Sequence, residues 1–492
     1  MTAKSIKVLE LNNVEAFGKH FNGYSIAEYA NRHPELNIEV SMLVNNLIES
    51  SPFVFPLFRS KALRKCDMRI ETLEASLGTK NQISISENAL IHNPLYKEAD
   101  ILHFHMYHNM HLPIEFLNRI PPDKRIILDL HDTFWLTDNH IPMLEVFKYS
   151  NLNSTNLNAQ RKRILNNLDA TFIIHSPYML KLFKHSTVTK SLHPTLISFG
   201  TNLNIFCPSD NTARLRAKYK IPPENIVLMF RAQKEFKGLD YIIKALELIK
   251  TSEKITLLTV GEKNLCDELK GKYRILNLGY ITDEHKMAEL YNVCDIFLAP
   301  STEESFGFMV IEAMACGKPI IVFNGTALPV TCNAPNIGIS VSQNSKALAT
   351  AIEHLITHKT ERITRGKAGH EFAKKHYNET DYIQNNINMY KSIANSPTKY
   401  PCKRKAPPKT HPIYPDFNKI NEVATGNQPS SILNPTEINY NNFYIQESLK
   451  DFNTKLYKEC LKTQPKYTMR NIAKTIIPHK IRKIITLLRR KK

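Results

Sequence analysis

Apolar residues along this chain gather in short runs separated by longer stretches where they recur every three or four positions. KVLELNN, NIEVSMLV, ADILHFHM, RIILDLHD and ATFIIHS read as strands in the first half, and NIVLMF, KITLLTVG, RILNLGYI, CDIFLAPS and KPIIVF in the second. Strands that alternate with helices need right-handed crossovers and build parallel sheets covered on both faces. Two such sets predict an α/β chain of two doubly wound, Rossmann-like domains. The break falls at residues 199–208 (FGTNLNIFCP), before a helix expected from about Asp210. Residues 1–200 therefore form a first domain and 201–380 a second one, with a helix at 381–396. Ligands of doubly wound sheets sit at the carboxyl ends of strands, so two facing domains enclose a cleft. After Ser396, PTKYPCKRKAPPKTHPIYP clusters Pro and Lys and holds neither helix nor sheet. Residues 397–467 read as a partly disordered linker with a short helical pattern at 447–461.

The length of 492 residues suits two or three domains, and 42% hydrophobic residues suffice for sizeable cores. No apolar run reaches the roughly 18 residues of a membrane span, and the opening MTAKSIKVLELNN lacks a secretory pattern. A cytoplasmic protein is expected. Eight cysteines, Cys66, Cys207, Cys266, Cys294, Cys316, Cys332, Cys402 and Cys460, lie scattered without a CxxC pair and read as reduced thiols.

A formal charge of +19 points to an anionic partner: nucleic acid, membrane surface or phosphorylated substrate. Part of it sits in the acid-free tail MRNIAKTIIPHKIRKIITLLRRKK. There Ile481, Ile484, Ile485 and Leu488 recur at helical spacing beside a basic face, which predicts that residues 468–492 lie as an amphipathic helix on the inner face of an anionic membrane. The plainer alternative is a disordered basic end. Nucleic acid is disfavoured, since the cations alternate with aliphatics rather than stacking aromatics. The run SPFVFPLFRSKALRKC, with Arg59, Lys61, Arg64 and Lys65, suits either docking at lipid or acceptor, or an ordinary helix with a solvated basic face.

Chemistry concentrates in STEESFGFMVIEAMACGKPIIV, residues 301–322. The pattern places Glu304 in a loop leaving a strand and Glu312 about a turn and a half into a helix at 308–315, closed by Gly317. A carboxylate among Ile311, Ala313 and Met314 is costly unless it is paired or faces a cleft; a surface acid on an amphipathic helix is the plainer alternative. Amides around Phe306, Gly307 and Phe308 would open that helix and suit an anion, and Gly307 lets backbone approach a ligand closely. Acids beside an anion site suit a phosphate attached to a polyol. In LMFRAQKEFKGLDYIIKAL, Arg231 ends a strand and Lys237 precedes a helix, so both can reach the same cleft or remain solvated surface charges.

Over residues 6–394 these segments, with DEHKMAELYNVCDIFLAPS, resemble glycosyltransferase family 4, the retaining nucleotide-sugar transferases of the GT-B fold. The resemblance implies that Glu304 contacts the donor sugar near its reacting carbon, that Glu312 binds the nucleotide ribose, and that Arg231 and Lys237 hold the donor diphosphate. Amides at Phe306, Gly307 and Phe308 would hold sugar hydroxyls and phosphate, with Ile281 beside the base. His131, in LDLHDTFWLTDNHI, matches a histidine whose ring or backbone faces the transferred sugar, and is assigned with Glu304 to catalysis. That segment and ILHFHMYHNMHL look like members that build bacterial surface polysaccharides such as capsule or lipopolysaccharide. The helix in DYIQNNINMYKSI would cross back onto the first domain. The implied donor is a UDP- or GDP-sugar, and the acceptor a glycan or lipid-linked glycan. No cofactor and no metal are expected, because the two cations take over the metal's usual task and no acid cluster announces a metal site.

Two departures bear on the assignment. The family's first strand-to-helix loop often pairs its glycines, whereas NNVEAFGKHFNGYS separates Gly18 and Gly23; Gly18 is the one assigned to the donor. NGTALPV puts Val330 where many members have a glutamate. The rival readings are an inactive GT-B binding module in a polysaccharide assembly complex and a GT-B nucleotide-sugar epimerase or phosphorylase. His103, His105, His108 and His111 suggest metal only weakly, since His103 and His105 share a strand face but no third ligand stands at convincing spacing. Trp135 reads as loop packing more readily than as a sugar platform.

Overall fold

The computed structural model describes residues 5–15, 22–58, 85–136 and 154–396. Gly18, the cations Arg59, Lys61, Arg64 and Lys65, and the linker and basic tail from 397 onward lie outside them.

The first sheet contains β1 (Ile6–Val14), β2 (Ile38–Asn46), β3 (Val54–Pro56), β4 (Ile101–His105), β5 (Arg125–Asp129), β6 (Ala170–Ile174) and β7 (Pro194–Leu196), in the order β3-β2-β1-β4-β5-β6-β7. In the second are β8 (Ile226–Ala232), β9 (Ile255–Gly261), β10 (Arg274–Asn277), β11 (Ile296–Ala299), β12 (Ile320–Phe323) and β13 (Ile339–Val341), ordered β10-β9-β8-β11-β12-β13. Neighbouring strands pair in parallel throughout both sheets. Each apolar run quoted above supplies one of the longer strands, and in central strands such as β4 and β9, covered on both faces, every position is buried. The three-residue strands β3, β7 and β13 are too short for a pattern. Val54–Pro56, in the run read as a helix or docking segment, is instead an edge strand: Met42 N–H donates to the Phe53 carbonyl (2.8 Å) and Leu57 N–H to that of Val44 (2.7 Å). Its partners on β2 lie 12 residues back in the chain, Val54 opposite Met42, a tertiary choice.

Strand order reverses between β1 and β4 and again between β8 and β11. Such switch points open crevices at the carboxyl ends of their strands. The lobes meet there. Thr201 N–H donates to the Tyr377 carbonyl (2.9 Å) and Glu379 N–H to that of Thr201 (3.2 Å), so the two crossings between lobes run side by side. The helix Glu379–Asn395 then begins at Asn378, whose side chain accepts from Thr380 N–H (3.0 Å). It packs on β1 and the helix Tyr24–Arg32, burying Tyr382, Ile383, Ile387 and Tyr390. One apolar cluster consequently runs from Val8 and Ile26 through Phe199 and Tyr382 to Phe306 and Met314, joining the lobes by a shared core. At about 1.5–3 kcal/mol for each large side chain, that core ties them firmly.

Among the described residues no helix is long and apolar enough to cross a membrane. The described cysteines, Cys207, Cys266, Cys294, Cys316 and Cys332, are free thiols. Trp135 is buried against Tyr107 and Phe134 and acts as packing.

Candidate active site

At the second switch point, β8 ends in Arg231 and Ala232, and β11 ends at Ala299 on the neighbouring strand. Thr302 N–H donates to the Phe236 carbonyl (2.9 Å), tying the loop after β11 to the turn that carries Lys237. Across that tie Lys237 Nζ meets Glu304 Oε2 at 2.5 Å, both side chains about one-fifth exposed. Arg231 is half-buried at its strand end and makes no ion pair among the described residues. A cation partly withdrawn from water without a partner is suited to an anionic ligand.

The helix Phe308–Ala315 starts as its pattern predicts, behind Gly307 at φ 102° and without a side-chain cap. That φ suits glycine alone, and an added Cβ would collide with Leu328. A helix start of this kind, with no side-chain cap, is suited to an anion. Glu312 is half-buried, and the fully buried Tyr291 hydroxyl donates to its Oε2 at 2.7 Å. Burial and this neighbouring carboxylate push the Tyr291 phenol well above its ordinary range, so it stays a donor. That fixed donor offsets the cost of a carboxylate in an apolar helix. Phe306 is buried, so only its backbone can serve a ligand; Phe308 is half-buried against Phe199, with centroids 4.9 Å apart. Ile281 is half-buried beyond β10, just after Gly279, whose carbonyl accepts from Gly261 N–H (2.9 Å) at the end of β9. Val330 is exposed, on the turn Leu328–Thr331.

Contacts reach across the cleft to the same loop. Ser305 Oγ–H donates to the His131 carbonyl (2.6 Å), Ser176 Oγ–H to the Ser305 carbonyl (2.7 Å) and Tyr178 O–H to the Gly325 carbonyl (3.0 Å). Ser176 also caps the helix Pro177–His185, accepting from Met179 N–H (3.1 Å). His131 and Glu304 are thus brought together through one serine. The His131 ring, however, is turned inward with 6% of its side chain exposed. What it offers the second lobe is its carbonyl, so of the ring and backbone expected to face the cleft it is the backbone that does; burial lowers the imidazole pKa to about 4.

That ring belongs to a buried polar cluster at the first switch point, where the histidines meet acids that local spacing did not show. Glu10 on β1, His103 and His105 on β4, Asp129 at the end of β5, His131 and His175 are packed together. The acids missing from local spacing come from neighbouring strands, since Glu10 pairs with His103 and His105 with Asp129 in the register. His103 Nδ1 lies 2.7 Å from the Tyr390 hydroxyl, which itself donates to Glu10 Oε1 at 2.5 Å. Coulombic and hydrogen-bond pull from the histidines outweighs burial and holds Glu10 at about 2; the two acids likewise raise His103 to about 9. Asp129 lies well below its usual range, because the surrounding histidines overcome its desolvation.

Comparison with known proteins bears on the fold and on the second lobe. Residues 211–372 match the family described as Glycosyl transferases group 1. The second lobe is a group 1 glycosyltransferase domain. Its sequence relatives include a GDP-mannose-dependent α-(1-6)-phosphatidylinositol dimannoside mannosyltransferase of Mycobacterium tuberculosis, 28% identical over 165 residues that cover 33% of this chain and 43% of that protein. The chain thus spans less than half the length of the curated relatives it first matches. Sucrose-phosphate synthase from Thermosynechococcus elongatus superposes with a TM-score of 0.60 at 20% identity, over 79% of this chain and 99% of that one. Anabaena HepE, solved with UDP and glucose, gives 0.57 at 17% identity, over 79% and 100%. At such identities the likeness carries the fold alone, and the fold is GT-B. In this glycosyltransferase domain lie Arg231, Lys237, Ile281, Glu304, Phe306, Gly307, Phe308 and Glu312. Sequence reasoning missed Tyr291, Ser305, Ser176 and Phe199, whose roles come from partners far along the chain. It also missed Glu10 and Asp129, whose only signal was an acid inside an apolar strand.

Proposed function

We propose that the chain is a retaining glycosyltransferase that moves a sugar from a UDP- or GDP-sugar to a glycan or lipid-linked glycan in surface polysaccharide synthesis. The observation that carries this reading is the Lys237–Glu304 pair beside the unpaired, half-buried Arg231 at a switch point of the second sheet. Breaking the bond from sugar carbon to phosphate builds negative charge on the diphosphate and positive charge on the ring. Arg231, Lys237 and the uncapped helix start would hold the leaving diphosphate, while Glu304 faces the reacting carbon. Glu312, oriented by Tyr291, would accept from ribose hydroxyls, and Ile281 would border the base. His131 acts as a positioning residue, its carbonyl fixing the Ser305 loop next to Glu304. A relative named for GDP-mannose transfer and a fold neighbour solved with UDP and glucose support a nucleotide-sugar donor. The acid-free basic tail supports work at the inner face of a membrane.

The test is to incubate the purified chain with a panel of UDP- and GDP-sugars and follow binding and slow donor hydrolysis, beside Glu304→Ala and Lys237→Ala. Saturable binding of one donor, with hydrolysis lost in Glu304→Ala, is the expected result. Binding of none would overturn the reading. For the tail, removal of residues 468–492 should move the protein from membrane to soluble fractions; unchanged fractionation rejects that role.

A further inference from the structure

Three donor atoms converge in the first lobe, and only one of their three separations is a hydrogen bond. His105 Nδ1, Asp129 Oδ2 and His131 Nε2 form a triangle with edges of 3.4 Å (His105 to Asp129), 3.4 Å (His131 to Asp129) and 3.1 Å (His105 to His131). Asp129 Oδ2 is fully buried and makes no hydrogen bond among the described residues, with His103 Nε2 a further 3.4 Å neighbour outside the triangle. An ionised carboxylate oxygen left so, deep in protein, is costly.

Proton positions sharpen the case. His105 Nε2 lies 2.7 Å from Glu10 Oε2, and an ionised carboxylate can only accept. With Nε2 turned to that carboxylate, His105 presents Nδ1 to the triangle. A histidine whose far nitrogen donates to a carboxylate is the arrangement that orients and strengthens a metal ligand. Asp129 is oriented in the same way, for its other oxygen, Oδ1, is held by His175 Nε2, and His175 Nδ1 meets the Ile197 carbonyl at 2.7 Å. Ligands placed about 2.0–2.2 Å from a tetrahedral ion stand about 3.3–3.6 Å apart, close to the observed edges.

We infer that His105 Nδ1, Asp129 Oδ2 and His131 Nε2 form a binding site for a divalent transition-metal ion of the zinc class. The ion would tie the carboxyl ends of β4 and β5 together and fix the His131 carbonyl that receives Ser305. Two nitrogens and a carboxylate suit zinc better than the oxygen-seeking magnesium or calcium. The rival arrangement gives His131 Nε2 the proton, donated to His105 Nδ1, and leaves Asp129 Oδ2 to the charge of His103, whose Nε2 lies 3.4 Å away. Donor binding in the second lobe is measured separately, so this site and the proposed transferase activity succeed or fail independently.

The full chain, stripped with a chelator and dialysed, is titrated with Zn²⁺ and then with Co²⁺, following metal content after gel filtration, the visible cobalt spectrum and the thermal midpoint. The expected result is about one equivalent bound with a raised midpoint, and at least about tenfold weaker binding in Asp129→Asn and His105→Ala. Circular dichroism establishes that the variants are folded. The wild-type titration decides alone if they are not: no stoichiometric metal, no cobalt band and no rise in midpoint would overturn the assignment. Undiminished binding in folded Asp129→Asn and His105→Ala would overturn it equally, by placing the metal elsewhere.

Discussion

The two switch points of this molecule hold charged residues in opposite ways. In the second lobe Lys237 and Glu304 keep about one-fifth of their side chains exposed, and Arg231 is half-buried. In the first lobe Glu10, His103, His105 and Asp129 are sealed from solvent and spend their charges on one another and on Tyr390. Equivalent positions in related topologies have thus been turned to different ends. Charges with spare valence and solvent access suit a ligand that comes and goes, whereas charges buried among one another hold structure.

The sharpest way to break this contrast is Glu304→Gln. Transfer, or donor hydrolysis, should fall about 100–1,000-fold. The unfolding midpoint should barely move, since a semi-exposed substitution usually changes stability by less than about 0.5 kcal/mol. A large loss of stability with activity intact would place Glu304 among the structural residues. Next comes Lys237→Ala, which removes a charge-assisted contact of about 1.5–3 kcal/mol and should weaken nucleoside diphosphate binding roughly tenfold to a hundredfold, as calorimetry would read. Unchanged affinity would leave Lys237 as Glu304's partner only.

Tyr390→Phe probes the opposite lobe. It takes a donor from Glu10 Oε1 and an acceptor from His103 inside a sealed cluster, so denaturant unfolding should report a loss of about 1–3 kcal/mol. Donor affinity should stay as it was. An affinity change without a stability change would reverse the assigned roles. The smallest effect belongs to Ser305→Ala, which deletes one bond between lobes, to the His131 carbonyl; about 0.5–1.5 kcal/mol of stability should go, with turnover falling more than donor affinity. Equal losses in both would tie Ser305 to donor binding rather than to positioning.

Much of the second lobe's site was legible because its residues are crowded into two short segments. Glu304, Gly307 and Glu312 lie on one loop and the helix it feeds, and Arg231 and Lys237 lie within a single strand-to-helix turn. Spacing along the chain there translates directly into position at the sheet's edge. What orients them was not legible: Tyr291 lies 21 residues from Glu312, and Lys237 lies 67 from Glu304. The histidines misled for the same reason. Within ILHFHMYHNMHL they are neighbours lacking a third ligand, but β1 and β5, laid on either side of β4, bring Glu10 and Asp129 to them.

By itself the sequence determined the period of each element, the two parallel sheets, the crossing near residues 199–208 and the local acid and base set, because these depend on side-chain patterning and backbone rules that act over a few residues. Only the tertiary structure decided which strands became neighbours, that the His131 ring faces inward while its carbonyl faces Ser305, and that Glu10 meets Tyr390 across 380 positions of chain. Burial and pairing are properties of packed neighbours, and strand order, which local pattern does not encode, chooses those neighbours.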